Sequence, residues 1–187
     1  LTTAQLSSLK TAQIAGMTTA QVTALTTDQV STLTTAQLSS MTTAQIAVME
    51  TDDLQALTTA QLVTMTTAQI TKLTTAQIAA MTTHQVANLE STDLMALSAQ
   101  QVRALGTNQI VALDSTDLGA LSGDQLVSMS STQLRAIETA DIDQIGSTAL
   151  SGLSSSQMGA FSTAQLSALL TDQLQALSQD QIGGLST

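Results

Sequence analysis

One eight-residue stretch decides the fold of this chain, and it reads Leu33-Thr34-Thr35-Ala36-Gln37-Leu38-Ser39-Ser40. An octad frame that starts at Leu1 fits all 187 residues, as 23 octads and three further residues, without an insertion or a deletion. Positions 1 and 6 are apolar in all 23 octads, and position 5 is Gln in 18 of them. Position 2 is Thr or Ser in 15 octads. The chain is therefore a tandem repeat with a fixed period.

Neither a strand nor one continuous helix can bury positions 1 and 6 together. Alternate residues of a strand face opposite sides, and positions 1 and 6 differ in parity. In a continuous helix, eight residues at about 100° each overshoot two full turns by about 80°, so the apolar stripe would wind around the helix. The chain direction must therefore change once in every octad.

The residues at positions 2 and 5 start a new helix in each octad. Thr or Ser followed three residues later by Gln forms the capping box that is typical of a helix N-terminus. With position 2 as the N-cap, the apolar residues at positions 1 and 6 form the hydrophobic staple that accompanies this box. Of the 14 acidic residues, 13 lie at positions 2, 4 or 5, where the positive end of the helix dipole favours them. The pattern predicts one short helix in each octad, over roughly positions 3 to 8, followed by a bend.

We predict an all-α fold, a solenoid or superhelical coil of about 23 short capped helices, one per octad, around a thin aliphatic core. Helices of this length are unstable alone because nucleation is costly, so neighbouring helices must stabilise one another. Small residues at position 8 would let successive turns approach closely. We treat residues 1–187 as a single repeat array, with residues 1–88 near the consensus and residues 89–187 drifted and more acidic.

The composition excludes several classes of function. The net charge is −10 and only four residues are Lys or Arg, so the surface repels nucleic-acid phosphates and anionic lipids. No apolar run approaches the ~20 residues that a transmembrane helix needs. The chain has no Cys, and its one histidine, His84, has no partners at the spacing of a metal site or a catalytic triad. We therefore predict no enzymatic activity, no nucleic-acid binding and no membrane span.

Four octads carry a pair of acids, one at position 2 and an Asp at position 5. The pairs are Glu50 and Asp53, Glu90 and Asp93, Asp114 and Asp117, and Glu138 and Asp141. One interpretation is a set of metal sites with calcium as the cofactor, because Ca²⁺ prefers oxygen ligands. Two carboxylates in an octad are few for this ion. Three octads per superhelical turn would stack Glu90, Asp114 and Glu138, which are 24 residues apart.

The other interpretation of these four octads is an alternative helix cap. In that case the hydroxyl residues at position 3 are the N-caps, and the acids interact favourably with the helix dipole. The alternative N-caps are Thr51, Ser91, Ser115 and Thr139. The sequence favours the cap over the cation site and leaves both open.

The octads that start at Leu33 and Met65 resemble tandem repeats of very large bacterial secreted or surface proteins, which are often described as adhesin-like. The residues that carry the resemblance are Leu33-Thr34-Thr35-Ala36-Gln37-Leu38 and Met65-Thr66-Thr67-Ala68-Gln69-Ile70. The resemblance covers the whole chain and implies export, an extracellular or cell-surface location, and a role in a stalk, filament or matrix. It implies no functional residues.

Two functions follow from these observations. The first is an extracellular structural element that forms a stalk, fibre or filament. Leu1 and Leu185 are core-type residues at the two ends of the array, whereas solenoid ends normally carry polar caps. We therefore predict head-to-tail self-association into a homopolymer, or continuation in a longer chain. The alternative is a surface or adhesin module that binds cations or a partner through its acidic region, from about Glu90 to Asp143.

Overall fold

A computed structural model gives the fold and describes residues 1–185. Within these residues the chain contains 22 short α-helices and one 3-10 helix, one in each octad, and no strand. Every helix begins at position 3 of its octad and ends at position 6, 7 or 8. The predicted fold class is confirmed, because the chain is all-α and repeats one short capped helix per octad. None of these helices has the length and apolar character that crossing a membrane requires.

The helices fall into two compact units. The first unit, Leu1–Ala96, contains α1 to α12. Their bounds are α1 Thr3–Ser7, α2 Thr11–Ala15, α3 Thr19–Thr23, α4 Thr27–Ser31, α5 Thr35–Ser40, α6 Thr43–Ala47, α7 Thr51–Ala56, α8 Thr59–Leu62, α9 Thr67–Ile70, α10 Thr75–Ala80, α11 Thr83–Val86 and α12 Ser91–Ala96.

The second unit begins at Leu97 and contains α13 to α22, with the 3-10 helix between α17 and α18. The bounds are α13 Ala99–Ala104, α14 Thr107–Val111, α15 Ser115–Ala120, α16 Gly123–Ser128, α17 Ser131–Ala136, the 3-10 helix Thr139–Gln144, α18 Ser147–Ser151, α19 Ser155–Met158, α20 Thr163–Ser167, α21 Thr171–Gln175 and α22 Gln179–Gly184.

The capping box begins the helices as the sequence predicts. In α5, the Thr34 hydroxyl accepts a hydrogen bond from the Gln37 N–H at 3.2 Å, and the Gln37 Oε1 accepts one from the Thr34 N–H at 2.8 Å. The same pair of bonds forms in all 15 octads that have Thr or Ser at position 2. Lys10, Gly106 and Leu170 have no side-chain acceptor, so only the glutamine half of the box forms there.

Where a helix extends to position 8, two extended residues connect it to the next helix. Between α7 and α8 these are Leu57 (φ −63°, ψ 131°) and Thr58 (φ −69°, ψ 158°). No residue of the described chain has a positive φ. The bend therefore needs neither Gly nor Pro, and position 1 can carry a core side chain at no cost in backbone strain.

Positions 1 and 6 form the predicted aliphatic core. The position 6 side chains of Leu38 and Ile46 are completely buried, and those at position 1, such as Met41 and Leu57, are 3–4% exposed. The single aromatic residue, Phe161, also occupies position 1 and is buried. Most octads therefore contribute two side chains to the core, so the period of the repeat and the period of the core are the same, whereas Leu1, Leu174 and Ile182 are exposed.

Within each unit, every helix packs against a helix three octads away. In the first unit α2 packs on α5 and α4 packs on α7, and in the second unit α13 packs on α16. Side-chain hydrogen bonds between neighbouring turns join residues that are 25 to 31 positions apart in the chain. One turn of each superhelix therefore contains between three and four octads, slightly more than the three that would stack the acids directly.

Position 8 lies close to the neighbouring turn. The Ser128 Oγ donates to the Ala99 carbonyl at 3.0 Å, across 29 residues. A Cβ added to Gly184 would lie 2.5 Å from the Ser155 carbonyl oxygen, which is again 29 residues earlier. These contacts support the prediction that small residues at position 8 let the turns approach closely.

We expect Thr34→Ala to lower the free energy of unfolding by about 1 kcal/mol, because it removes the acceptor for the Gln37 N–H. Thr34→Ser keeps that acceptor and should retain most of the stability. Thr35→Ala is the control at the neighbouring exposed position, and it should change the free energy by less than about 0.5 kcal/mol. Denaturant titration followed by circular dichroism measures all three. Equal losses for Thr34→Ala and Thr35→Ala would show that the hydroxyl cap contributes nothing.

Candidate functional site

The glutamine side chains at position 5 join each turn to the preceding turn. In α6, the Gln45 Nε2 donates to the carbonyl oxygens of Ile14 and Met17, both at 2.8 Å, which lie 31 and 28 residues earlier. We refer to these contacts between turns as the glutamine seam. Its residues are Gln29, Gln37, Gln45, Gln61, Gln69, Gln77 and Gln85 in the first unit, and Gln125, Gln133, Gln157, Gln165, Gln173 and Gln181 in the second.

Both ends of each seam amide are used. The Oε1 accepts the N–H of the N-cap in its own octad, and the Nε2 donates to the position 1 carbonyl of the preceding turn, in most cases together with the position 6 carbonyl. Gln61 and Gln157 donate instead to the carbonyls at positions 7 and 1. The position 1 carbonyl lies between two helices, where no helical N–H is available, so the amide supplies the donor that a buried carbonyl requires. Apart from Gln29 and Gln157, which are half-buried, the seam side chains are buried. Within residues 1–185, no buried side-chain nitrogen or oxygen lacks a hydrogen-bond partner.

The seam explains a feature of the sequence that capping alone does not. A capping box accepts Glu as well as Gln, yet position 5 is Gln in 18 octads and Glu in none. A glutamate could accept the N-cap N–H, but its carboxylate could not donate to the two carbonyls. The capping pattern gives glutamine only a capping role, so the seam was not predicted from it. The absence of Glu from position 5 is the signal that could have revealed it.

The aspartates at position 5 occupy the place of the seam glutamines. They are Asp53, Asp93, Asp117 and Asp141, and all four are between 3% and 7% exposed. The Asp141 Oδ1 accepts a hydrogen bond from the Ser115 Oγ at 2.5 Å, and Asp53 accepts one from the Thr27 side chain. In both cases the hydroxyl lies 26 residues earlier, at position 3 of the neighbouring turn. An ionised aspartate has no hydrogen to donate, so it cannot replace the amide as a donor to the carbonyls.

The two acids of each pair proposed as metal ligands differ in burial. The position 5 aspartates are buried, whereas their partners at position 2 are exposed, namely Glu50, Glu90, Asp114 and Glu138. α15 packs against the 3-10 helix, so the acids of those two octads do lie on neighbouring helices. Among the residues that the structure describes, no group of three or more His, Cys, Asp or Glu side chains is placed to hold a metal ion. Calcium binding stays a prediction, and calorimetry with Ca²⁺ tests it.

The hydroxyl residues at position 3 are not the N-caps of α7, α15 and the 3-10 helix. Position 3 provides the first residue of each of these helices, at Thr51, Ser91, Ser115 and Thr139. The N-caps of α7, α15 and the 3-10 helix are the acids at position 2, namely Glu50, Asp114 and Glu138. Asp114 is itself a side-chain cap, since its Oδ1 accepts the Asp117 N–H at 2.9 Å. The core residues at positions 1 and 6 hold the helix in register, so position 2 remains the N-cap whichever residue occupies it.

Three position 5 glutamines of the first unit do not take part in the glutamine seam. The Oε1 atoms of Gln5, Gln13 and Gln21 form the usual capping bonds. Their Nε2 groups make no hydrogen bond to any residue from 1 to 185, and the three side chains are exposed. Gln13 and Gln21 line a cavity of about 580 Å³ together with Leu9 and Met17. This face therefore combines free amide donors with core-type side chains.

Burial raises the pKa of Asp53 above its ordinary value of 3.8. The hydrogen bond from Thr27 lowers this pKa, and the nearby charge of Asp52 raises it. Asp28 lies on α4, which packs on α7, and Glu50 is the N-cap of α7, whereas α10, which also packs on α7, carries no titratable side chain. The folded chain therefore binds the Asp53 proton more tightly than the unfolded chain does.

We expect Asp53 to make the chain more stable as the pH falls from 7 through its raised pKa towards about 3.8. In this window the folded state binds more protons than the unfolded state, so the free energy of unfolding rises as the pH decreases. Asp53→Asn removes the titration and leaves the other acids in place. The free energy of unfolding of Asp53→Asn should exceed that of the wild type at pH 7, and the difference should shrink at lower pH. A difference that does not vary with pH would contradict this prediction.

A sequence family described as the ALTTAQ repeat matches the chain five times. The matches cover residues 1–35, 46–83, 86–122, 134–171 and 158–187. No curated protein matches the chain. Because the five matches together cover far more than half of its length, the chain belongs to the ALTTAQ repeat family.

Proposed function

We propose that the chain is an extracellular or cell-surface structural element that forms part of a stalk, fibre or filament. The glutamine seam is the observation that carries this proposal. Within each unit, one kind of contact joins turn to turn, through an amide at position 5 and carbonyls at positions 6 and 1. An array of this kind can be lengthened by whole octads without any new contact, which is the property that a spacer of adjustable length requires.

The use of the repeated polar side chains supports a structural role without catalysis. The hydroxyls at position 2 cap the helices, and the amides at position 5 join the turns. The two polar groups that recur most regularly therefore hold the fold together. A catalytic site needs instead a local set of polar groups that differ from one another and act on a substrate.

An extracellular location is supported by the resemblance to repeats of very large bacterial secreted or surface proteins. Antibodies against the chain should label intact cells of the organism that produces it. Protease added outside the cells should remove that label. Labelling that requires permeabilised cells would overturn this part of the proposal.

A fusion of two copies tests whether octads alone extend the array. In the test fusion, Gly184 of the first copy is followed directly by Leu1 of the second, so the octad frame continues through the junction. The control fusion retains residues 185–187 at the junction, which shifts the frame by three residues. We expect the in-frame fusion to melt at a higher temperature than the single chain, because solenoid stability grows with the number of joined repeats. The control should melt like the single chain, and equal melting of the two fusions would contradict the proposal.

A further inference from the structure

We propose that residues 137–152 form an opening segment, the interior part of the second unit that separates most readily from the turn before it and that proteases therefore cleave. These residues are octads 18 and 19 of the array. The opening follows from contacts within the array and does not depend on where the chain is located. An extracellular stalk is exposed to proteases, so the same segment is the point at which they would cut it. That consequence alone rests on the proposed function.

The glutamine seam is interrupted at the opening segment. In the two octads before it and the two octads after it, the position 5 amide donates to a position 1 carbonyl of the preceding turn, and these residues are Gln125, Gln133, Gln157 and Gln165. The opening segment has Asp141 and Ala149 at position 5, and neither side chain has an amide. The position 1 carbonyls 28 residues earlier belong to Leu113 and Leu121. Neither of them accepts a hydrogen bond from residues 1–185.

The opening segment also lacks the capping bonds. Its N-caps are Glu138 and Gly146, and neither accepts a hydrogen bond with a side chain. In each of the other nine helices of the second unit, the position 2 N–H donates to the position 5 side chain. Octad 18 forms the 3-10 helix, whose hydrogen bonds have poorer geometry than those of an α-helix. Because so short a helix depends on its caps and its neighbours, these two octads should open locally at a low free energy.

Apolar packing holds the opening segment against the turn before it. α15 packs on the 3-10 helix, and α16 packs on α18. The position 6 side chains of Ile142 and Leu150 are completely buried. Among the described residues, one side-chain hydrogen bond joins the opening segment to residues 113–128, from the Ser115 Oγ to the Asp141 Oδ1. The packing is therefore complete, and the directional bonds of the seam are missing.

The opening segment is joined by the seam to the turn after it. Gln173 donates to the carbonyls of Ile142 at 2.9 Å and Ile145 at 2.7 Å. Gln181 donates to the carbonyl of Leu150 at 3.0 Å. The weaker of its two contacts is therefore the one with residues 113–128, and separation should begin there.

Limited proteolysis of the folded chain tests the opening segment. Every octad has apolar residues at positions 1 and 6, so a protease that cleaves beside apolar residues finds matching sites throughout the array. Cleavage of a folded chain follows the population of its locally open state when opening is fast. Cleavage within residues 137–152 should be faster by about tenfold or more than cleavage within residues 129–136 or 153–160, which have both the capping box and the seam. Mass spectrometry of the fragments over time gives the rates.

The restoring variant combines Asp141→Gln with Ala149→Gln. Its amides would face the carbonyls of Leu113 and Leu121, so cleavage within residues 137–152 should slow by about tenfold or more. The control combines Asp141→Asn with Ala149→Asn, which makes the same change in charge with amides that are one methylene too short. It should slow the same cleavage by less than about threefold.

Gln133→Ala is a second variant, which introduces no new side chain into a buried site. It removes the seam amide from octad 17, so cleavage within residues 129–136 should become faster by about tenfold or more.

Three results would overturn the proposal. Equal cleavage of residues 129–136, 137–152 and 153–160 in the wild type would show that no opening segment exists. Equal slowing in the restoring variant and its control, or unchanged cleavage in Gln133→Ala, would show that the missing amides do not cause the opening. All three results concern the folded chain alone, whereas antibody labelling of cells tests the location separately.

Discussion

Gln37→Glu should lower the free energy of unfolding by about 3 kcal/mol or more at pH 7, although it replaces only an amide NH₂ by oxygen. The Gln37 Nε2 donates to the carbonyl oxygens of Leu6 at 3.0 Å and Leu9 at 2.8 Å, and the residue is 2% exposed. A glutamate there would lose both hydrogen bonds and place a buried negative charge beside two carbonyl oxygens. The hydrogen bond from the Thr34 N–H to the side-chain oxygen would remain. A large decrease in the free energy of unfolding would therefore report the contribution of the seam and not that of the capping box. Denaturant titration of the whole chain gives the value.

Gln5→Glu is the matched control, because it makes the same change in an octad of identical sequence. The Gln5 Nε2 has no acceptor, so this substitution should change the free energy of unfolding by less than about 0.5 kcal/mol. Leu6→Ala, in the same octad, should cost about 2 kcal/mol and would show that the first octad contributes to the measured transition. If Gln37→Glu and Gln5→Glu were equally mild, the seam would contribute nothing to stability.

The comparison of Gln5 with Gln37 also shows which part of the fold the sequence can predict. The capping box joins residues three positions apart, so its pattern is visible within a single octad and predicts the start of each helix correctly. The core could be predicted because positions 1 and 6 must both be apolar. The seam joins a side chain to backbone carbonyls 28 and 31 residues earlier. Every residue has a backbone carbonyl, so the residue types in the sequence do not show which carbonyls accept these hydrogen bonds.

The number of octads in a superhelical turn was also not predictable, because it too depends on the backbone and not on residue type. It depends on the angle between successive helices, which the extended residues at positions 1 and 2 determine through their φ and ψ values. Residues as different as Met41 and Leu57 adopt nearly the same conformation at position 1. The residue type therefore does not report the angle.

The acids illustrate a different limit of sequence reasoning. The pairing of an acid at position 2 with Asp at position 5 marked four octads as unusual, and the structure does place these aspartates in an unusual site. Sequence reasoning treated each pair as acting together, whereas the structure exposes one member and buries the other, as with Glu50 and Asp53. A capping motif predicts the position of a residue in its own helix. It does not predict which groups of the neighbouring turn its side chain contacts.

Asp53→Gln should raise the free energy of unfolding by about 2 kcal/mol at pH 7, because it removes a buried charge and restores the seam at this octad. Seam glutamines donate to carbonyls that lie 31 and 28 residues earlier in the chain. At position 53 the new amide would therefore face the carbonyls of Val22 and Leu25. Its Oε1 would accept the Glu50 N–H, as the other position 5 glutamines accept theirs. Thr27 would lose its acceptor, but it is exposed and can bind water instead.

Asp53→Asn separates the two contributions, because it removes the charge with a side chain that is one methylene too short to reach the carbonyls. The gain from Asp53→Gln should therefore exceed the gain from Asp53→Asn by roughly the value of two hydrogen bonds, about 1–2 kcal/mol. Denaturant titration of the three proteins at pH 7 measures both differences. Equal gains would show that only the buried charge matters at this site. A loss on Asp53→Gln would show that the hydrogen bond from Thr27 stabilises the turn more than a restored seam, and that aspartate is the better residue here.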